Sequence, residues 1–419
     1  EQERIVIVGG GFGGLSLARQ LARQDYQVVL LDKHNFHQFQ PLFYQVAMAG
    51  LEPSSIAFPL RKLFRSYKNV FLRVTEVTEV NPQDKQVHTP LGHCNYDHLV
   101  LAIGADTNYY GNEAVEANAF PMKSLGEALH LRNAILADYE KALSTTDYQQ
   151  RQGLIDIVIV GGGPTGVELA GAMAEMRKYI IPKDYPELDW TEIDIYLIQA
   201  ADKLLKGMSE ESSQKALEYL RELGVVVKLN TRVTTYDGQY AYLSDQTKIA
   251  SQKVIWAAGI KGNALPGLPE TAHTYGNRLA VDEQLRVKDT TDIYAIGDVA
   301  YLETAAYPQG HPQVAQVAIQ MGRTLATNFA RRQQGQAPIS FSYQDKGSMA
   351  TIGRNRAVVD LPRFSFQGFM AWAVWLLVHL FAILGTKNKL FVFLNWVWNY
   401  ITYDQSLRLI IWAKGRSKE

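Results

Sequence analysis

A glycine-rich signature that occurs twice constrains this chain of 419 residues more than any other feature. Each copy begins with a short β-branched run, at Arg4–Val8 and Ile157–Val160, which predicts a buried strand, and ends in helix-forming residues. Three glycines spaced Gly-x-Gly-x-x-Gly separate strand and helix: Gly9, Gly11 and Gly14 in the first copy, and Gly161, Gly163 and Gly166 in the second. Such glycines permit a tight turn, close approach of backbone amides to a pyrophosphate, and close packing of the helix on the strand. We therefore expect two dinucleotide sites; a glycine-rich turn without a ligand is the alternative.

The residues that end the neighbouring strands strengthen this expectation. Gln27–Asp32 predicts the second strand of the first unit, and Asp32 stands about twenty residues beyond the glycines, where a carboxylate accepts hydrogen bonds from an adenosine ribose. In the second unit the predicted strand at 192–198 is followed by Gln199 instead. A later run, 292–298, delivers Asp298 at the carboxyl end of a strand, where open α/β sheets bind ligands.

Charge and cysteine content exclude several classes of function. The chain has 42 Lys and Arg against 42 Asp and Glu, so no overall field favours nucleic acid as a partner. The single cysteine, Cys94, excludes a redox dithiol and a cysteine metal cluster within one chain, and we expect it to be a buried structural residue. No metal site is expected. The chain enters a strand at once, with no basic-then-apolar leader, which predicts a cytosol-facing protein.

The pattern of elements predicts an α/β fold with two Rossmann-like dinucleotide-binding domains, the second inserted in the first, plus a C-terminal amphipathic helical segment. The expected boundaries are 1–120 for the first part of the first domain, 121–282 for the inserted domain, 283–345 for the return of the first domain, and 346–419 for the C-terminal region. Within them we expect a helix at 125–144, an irregular aromatic loop at 35–60, and strands at 339–343 and 349–352.

The C-terminal region has the composition of a lipid-facing segment. Residues 369–384 are apolar except at His379, and five of the seven tryptophans lie beyond residue 370. That run is a little shorter than the ~20 residues that a spanning helix needs, whereas 391–403 is amphipathic. Basic residues flank the aromatic ones: Lys387, Lys389, Arg408, Lys414, Arg416 and Lys418. This favours a segment lying in the headgroup region; a spanning helix and a buried dimer helix are the alternatives.

With these motifs in hand, the chain resembles the type II NADH dehydrogenases, the single-subunit, non-proton-pumping NADH:quinone oxidoreductases of the two-dinucleotide-binding-domain flavoprotein superfamily. The resemblance covers essentially the whole chain. Its most specific pieces are the glycine runs at 9–14 and 161–168, the loop from Asn35 to Gln45, the pair Gly297-Asp298, and Ala315-Gln-Val-Ala-Ile-Gln320, which matches the Ala-Gln-x-Ala-x-Gln quinone-site pattern of the family.

The resemblance implies that FAD sits on the first signature and NADH on the inserted one, with ubiquinone or menaquinone as the acceptor. The implied FAD contacts are Gly9, Gly11, Gly13, Gly14, Asp32, Lys33, Gln45, Ala102, Gly104, Gly297 and Asp298. The implied NADH contacts are Gly161, Gly163, Gly166, Gln199 and Gly259. Glu168 would lie at the nicotinamide side of the flavin, Gln316 and Gln320 would border the quinone, and Lys346 would lie close to the flavin on that side. The family also implies a homodimer and a peripheral, monotopic place on the cytoplasmic face of the cell inner membrane.

Two departures from the family pattern stand out. Relatives usually carry a glutamate where this chain has Gln199, and a neutral amide no longer repels a 2′-phosphate, which leaves NADPH open as a second donor. Ile103 replaces a threonine, with the expected loss of one hydroxyl.

The residues alone leave simpler alternatives for four of these positions. Glu168 could be an early-helix acid favoured by the helix dipole, Gln316 and Gln320 a solvated helix face, and Lys346 a surface lysine. The rival functions are a soluble ferredoxin or rubredoxin reductase and an NADH-sensing flavoprotein resembling apoptosis-inducing factor.

Overall fold

The two β-branched glycine strands form the centres of two separate parallel sheets. The structure is a computed structural model of the chain and describes residues 2–405 and 407–412. Contacts divide these residues into two units. Unit 1 comprises the chain up to Gln38, Ala57–Asp106 and Ile260–Asp345; unit 2 comprises Phe39–Ile56, Thr107–Gly259 and the described residues from Lys346 onward. Each unit is built around one of the two signatures.

The sheet of unit 1 has five parallel strands with the first glycine strand in the middle. Their order in space is Ile293–Ala295, His98–Leu101, Arg4–Val8, Gln27–Asp32 and Val70–Val74. The glycine strand is buried along most of its length because helices cover the sheet, which explains its run of β-branched residues. The helices of the unit are Phe12–Leu21, Leu60–Phe64 and Ala315–Gln333.

Shorter strands complete unit 1. An antiparallel meander is formed by Glu79–Asn81, Gln86–Thr89 and Gly92–Asn95. A further sheet holds His273–Thr274, Arg278–Ala280 and Ala300–Tyr301, and Phe36–Gln38 pairs with Ala57–Pro59. Strands Ala105–Thr107 and Ile260–Gly262 lie where the chain leaves and re-enters the unit.

Unit 2 repeats the same design. Its parallel sheet has the order Phe120–Pro121, Val254–Trp256, Ile157–Val160, Ile195–Ile198 and Val226–Lys228. Two antiparallel sheets accompany it, Val233–Tyr236, Tyr240–Leu243 and Lys248–Ala250, and Ser348–Thr351, Ala357–Asp360 and Ser365–Gln367. The helices are Phe43–Ala47, Glu113–Asn118, Leu125–Leu143, Tyr148–Ile155, Pro164–Tyr179, Ile181–Asp184, Glu210–Glu222, Phe369–Ala382 and Thr386–Thr402. The expectation of two Rossmann-like sheets is confirmed.

One expected strand is absent for a clear physical reason. Residues 339–343 form no strand, because side chains of the helix Ala315–Gln333 satisfy the backbone there. Asn328 accepts from the amide of Ile339 at 2.8 Å and donates to its carbonyl at 2.9 Å. The amide of Phe341 donates to the carbonyl of Glu283 at 2.7 Å. These backbone groups are therefore satisfied without a partner strand.

Two further expectations need correction. Cys94 is not buried but partly exposed, in the strand Gly92–Asn95 at the surface of the meander. The strand expected at 192–198 begins only at Ile195, because Trp190–Glu192 forms a 3-10 turn that Asp189 caps. The cations Lys414, Arg416 and Lys418 lie outside the described residues.

Candidate functional site

The first glycine loop, residues 9–14, combines two glycines that packing requires with one that it does not. Gly9 has a φ of +102°, and a Cβ there would strike the carbonyl of Ala102; a Cβ on Gly14 would strike the carbonyl of Gly9. Gly11, by contrast, has an extended backbone, and a Cβ there would meet nothing within 4 Å. The protein itself gives no reason for a glycine at this position, whereas close approach of a pyrophosphate does.

Asp32 holds this loop in place. Its Oδ2 accepts from the amide of Gly10 at 2.5 Å, and its Oδ1 accepts from the amide of His34 at 2.6 Å. The carboxylate thus lies beside the loop at the carboxyl end of its strand, as the sequence predicts, and remains half-buried.

The other residues of unit 1 that the sequence predicts at the flavin divide into two groups. Gly13 and Gly297 both face Ala318, with Cβ positions 3.3 and 3.2 Å from its atoms, and so let the helix Ala315–Gln333 pack close to the loop. Ala102 donates its amide to Val8 at 2.8 Å. These positions converge on the first glycine loop, and Asp298 directly follows Gly297. Lys33 is exposed, and Gly104, with a φ of +67°, has open space where a side chain would stand.

The second glycine loop, residues 161–166, reproduces the geometry of the first. Gly161 has a φ of +114°, a Cβ on Gly166 would strike its carbonyl, and a Cβ on Gly163 would meet nothing within 4 Å. Gln199 takes the place of Asp32: its Oε1 accepts from the amide of Gly162 at 3.0 Å, and its Nε2 donates to the carbonyl of Lys203 at 3.1 Å. The predicted contact Gly259 accepts from Asn108 at 3.0 Å and leaves no room for a side chain beside Tyr110.

Both loops fit a dinucleotide. The helices Phe12–Leu21 and Pro164–Tyr179 both begin without a side-chain cap, and the N-terminus of a helix attracts an anion. Each N-cap is the middle glycine of its loop, the position where a Cβ would fill otherwise open space. A helix N-terminus without a side-chain cap and a cradle of this kind, present twice, match the demands of a pyrophosphate.

Glu168, in the second turn of the helix Pro164–Tyr179, is a buried acid. Its Oε1 accepts from the Thr351 amide at 3.3 Å and from the Trp375 indole at 3.2 Å. Burial raises the pKa of Glu168 from 4.5 to about 8, against the opposing effect of these two hydrogen bonds. A pKa of about 8 favours the protonated acid at neutral pH over the carboxylate that the sequence suggests. Because Oε1 accepts both bonds, Oε2 is the oxygen left to carry the proton.

Aromatic side chains that sequence reasoning missed surround this acid. Trp375 stacks on His379 with ring centroids 3.9 Å apart and meets Tyr44 edge-on at 6.3 Å. Burial holds the pKa of Tyr44 well above its usual value, with Glu168 as a further cause, and burial lowers that of His379 to about 4. All of these groups are neutral at pH 7. The only signal in the sequence was the spacing of four residues between Trp375 and His379 on one helix face.

Gln45, a predicted flavin contact, belongs to the same part of unit 2. Its Oε1 accepts from the Trp396 indole at 2.8 Å, and its Nε2 donates to the Tyr44 hydroxyl at 2.9 Å. Asn399 donates to the carbonyl of Gly50 at 3.1 Å. The short helix Phe43–Ala47 and the helix Thr386–Thr402 are thereby joined.

The two predicted quinone-site glutamines differ in their bonding. Gln320 donates to the carbonyl of Gln344 at 3.0 Å and accepts from its amide at 2.9 Å, so both ends of its side chain are engaged. Gln316, one turn earlier, makes no hydrogen bond through its side chain to any residue in 2–405 or 407–412 and is partly exposed. Lys346 is exposed.

The two C-terminal helices carry a broad apolar surface. Ala371, Trp375 and Val392 are buried, whereas Phe381 is 71% and Ile401 72% exposed. Further exposed apolar residues on this surface are Phe369, Met370, Leu377, Val378, Leu390, Phe391, Phe393, Leu394 and Trp398. Among the described residues, no helix combines the length and hydropathy needed to cross a bilayer.

Two parallel sheets, each with a glycine loop fitted to a pyrophosphate, define a protein of the two-dinucleotide-binding class. Comparison with known families agrees. Residues 3–322 match the family described as pyridine nucleotide-disulphide oxidoreductase, and residues 346–402 match the NDH2 C-terminal domain.

Individual relatives narrow this class. The chain is 34% identical over 416 residues to the type II NADH:quinone oxidoreductase Ndh of Mycobacterium tuberculosis, a match that covers 96% of this chain and 89% of the relative. It is 26% identical over 437 residues to the mitochondrial internal alternative NAD(P)H-ubiquinone oxidoreductase A1 of Arabidopsis thaliana, covering 96% and 84%. The chain belongs to the type II NADH:quinone oxidoreductase family. Its fold matches that of NDH2 from Plasmodium falciparum, solved in complex with NADH, with a TM-score of 0.90 and 22% identity over 98% of this chain and 100% of that one.

Proposed function

We propose that this protein oxidises NADH through bound FAD and reduces a membrane quinone, ubiquinone or menaquinone, to quinol without pumping protons. The observation that carries the proposal is the pair of glycine loops, each with a middle glycine that only a ligand explains. When bound, FAD supplies hydride acceptance from NADH and the transfer of two electrons onward. The single cysteine supports a direct acceptor, since a dithiol relay within one chain is impossible.

The roles of the binding residues follow from the two loops. We assign FAD to the first loop, with Gly11 at the pyrophosphate and Asp32 at the adenosine ribose, and NADH to the second loop, with Gly163 and Gln199 in the corresponding places. The carboxylate of Asp32 excludes a 2′-phosphate by charge, whereas Gln199 does not. NADPH is therefore a second donor in this proposal.

Glu168 has a chemical role that its burial supports. Reduction of a quinone to a quinol consumes two protons, and an acid with a pKa of about 8 keeps a proton available at neutral pH. The Trp375 indole and the Thr351 amide hold its Oε1, which leaves Oε2 as the atom that gives up the proton. We assign Glu168 as the acid of the site, with Tyr44 and His379 as its neutral surroundings.

At the acceptor end, Gln316 is the better candidate for contact with the quinone. Gln320 is committed to both polar groups of the Gln344 backbone and thereby fixes the segment that leads to Lys346. Gln316→Leu should slow reoxidation of the reduced flavin by quinone and leave its reduction by NADH unchanged in stopped-flow traces. Slower reduction by NADH would place Gln316 on the donor side instead. Gln320→Leu should lower thermal stability only modestly, because the two hydrogen bonds that it removes hold an exposed segment of backbone.

The C-terminal helices support attachment to a lipid surface. Phe381→Asp together with Ile401→Asp should reduce binding to anionic vesicles by well over ten-fold, because each apolar side chain contributes about 1.5–3 kcal/mol when buried. Tyr275→Asp, at a residue that is 84% exposed in unit 1, is the matched control. Unchanged flotation of the double variant with vesicles would exclude this surface as the anchor. We further propose a homodimer on the cytoplasmic face of the inner membrane.

One titration tests the proposed function as a whole. The purified protein should have the absorbance spectrum of an oxidised flavin, NADH should bleach it, and a quinone should restore it. A protein without flavin, or a flavin that NADH does not reduce, would refute the proposal. Turnover below about one per second with any quinone would favour a sensor instead.

A further inference from the structure

The carbonyl of Gly10, in the middle of the first glycine loop, is held by a side chain that no part of the proposed function uses. Nδ1 of His37 lies 3.0 Å from that oxygen. The imidazole is 4% exposed and meets the ring of Phe12 edge-on at 5.1 Å. Because a carbonyl oxygen can only accept, the ring carries a hydrogen on Nδ1 and donates it.

The second glycine loop has a bond at the corresponding place, made by a different donor. Gly162 is the counterpart of Gly10, and its carbonyl accepts from the backbone amide of Leu205 at 2.8 Å. The amides of the two glycines are also held alike, by Asp32 and by Gln199. In both loops, therefore, the amide and the carbonyl of this glycine are each held by a hydrogen bond. A donor to the carbonyl is a shared feature of the two sites.

The geometry of the peptide group explains what this bond does. The carbonyl of Gly10 and the amide of Gly11 belong to one planar trans peptide, so they point in opposite directions. A donor that fixes the carbonyl therefore also fixes the direction of the Gly11 amide. Gly11 is the N-cap of the helix Phe12–Leu21, and a Cβ on this residue would point into open space.

We propose that His37 is a positioning residue for FAD: its Nδ1–H holds the Gly10–Gly11 peptide so that the Gly11 amide faces the flavin pyrophosphate. This inference rests on the proposed function, in which FAD occupies the first loop. In this role His37 acts through the Gly10–Gly11 peptide. Unit 1 uses an imidazole for this purpose because the chain after Asp32 runs into the short strand Phe36–Gln38 and presents a side chain, not a backbone amide, to the loop.

Substitutions that move the donor test this role. His37→Leu removes it, and His37→Gln carries its NH2 group further out, near the place of Nε2. Both should release FAD from the purified holoenzyme about ten-fold faster than wild type, since a buried carbonyl loses its donor. His37→Asn places an NH2 group near the position of Nδ1 and should restore retention to within about three-fold. His93→Leu, the same change at an exposed histidine of unit 1, is the control.

The readout is the flavin absorbance that remains after timed dialysis, together with the affinity for NAD⁺, which binds the second loop without reducing the flavin. Faster FAD loss in the leucine and glutamine variants, with rescue by asparagine and unchanged NAD⁺ affinity, supports the proposal. FAD loss at the wild-type rate in the leucine and glutamine variants overturns it, and so does an asparagine variant as defective as leucine, because that result would show that only packing matters. If the leucine variant does not fold, the glutamine and asparagine pair decides. Wild-type protein that holds no FAD would refute the proposed function itself, which is a separate outcome.

Discussion

Glu168→Gln should remove a strong pH dependence of stability from the wild-type protein. The folded chain holds the Glu168 proton up to a pKa of about 8, whereas the unfolded chain releases it near 4.5. Between these values the folded state binds one more proton than the unfolded state, so the free energy of unfolding falls as the pH rises. The contribution is fully present below pH 4.5 and is lost by the time the pH has passed 8.

The magnitude follows from the width of the window. Each pH unit well inside it changes the free energy of unfolding by about 1.4 kcal/mol, and the slope falls by half at pH 8, so wild type should lose roughly 2 kcal/mol between pH 6 and pH 8 through this group alone. Glutamine does not titrate, is nearly the same size, and can accept from Trp375 and Thr351 through its own Oε1. The variant should therefore match wild type within about 1 kcal/mol at pH 6 and exceed it at pH 8.

Thermal unfolding followed by tryptophan fluorescence at pH 6, 7 and 8 measures this difference, with Glu187→Gln, an exposed glutamate of the same unit, as the control. The control should keep the wild-type pH dependence. Infrared difference spectroscopy provides a direct check, because wild type at pH 7 should show the carbonyl stretch of one more protonated carboxyl than the Glu168 variant. Parallel unfolding curves for wild type and Glu168→Gln across this pH range, or the absence of that band, would refute a protonated Glu168.

Two further predictions concern the glycine loops. Gln199→Glu should lower kcat/KM for NADPH more than for NADH, because it restores a charge that repels the 2′-phosphate. The variant should also lose some stability, since a carboxylate cannot donate a hydrogen bond to the carbonyl of Lys203. An unchanged ratio of the two kcat/KM values would show that other residues determine the selectivity. Gly163→Ala should raise KM for NADH and keep FAD, whereas Gly11→Ala should weaken FAD retention. The free energy of unfolding of both variants should stay within about 1 kcal/mol of wild type, because the added Cβ meets no atom of a residue outside its own turn within 4 Å. A large loss of stability would show that packing, not a ligand, requires these glycines.

The features that the sequence predicts well are those that neighbouring residues determine. The glycine loops, their strands and their helices depend on spacings of a few residues, and the structure has them at Arg4–Val8, Phe12–Leu21, Ile157–Val160 and Pro164–Tyr179. The open space beside Gly11 and Gly163 is likewise implied by the motif, because only a ligand explains a glycine that packing does not need.

The burial of Glu168, which raises its pKa, involves a residue far away in the sequence. Its partner Trp375 lies 207 positions further along the chain, so no local pattern could show that the acid is buried. The apolar run at 369–384 was correctly expected to be helical, but the sequence could not show that one face packs on Glu168 while the other is exposed. The same limit explains the failed strand at 339–343, whose backbone is held by Asn328 on a neighbouring helix.

The near identity of the two loops locates the origin of their selectivity. Both fix the amide and the carbonyl of the second residue in the loop, both leave the third open, and both begin an uncapped helix. In the proposed assignment the pyrophosphate therefore meets the same arrangement in each loop, which cannot tell one dinucleotide from another. What differs is the group that holds the loop amide, a carboxylate at Asp32 and an amide at Gln199, at the position that we assign to the adenosine ribose. In this assignment, discrimination against a 2′-phosphate depends on the charge of this side chain, which is why Gln199→Glu is the substitution that should change it.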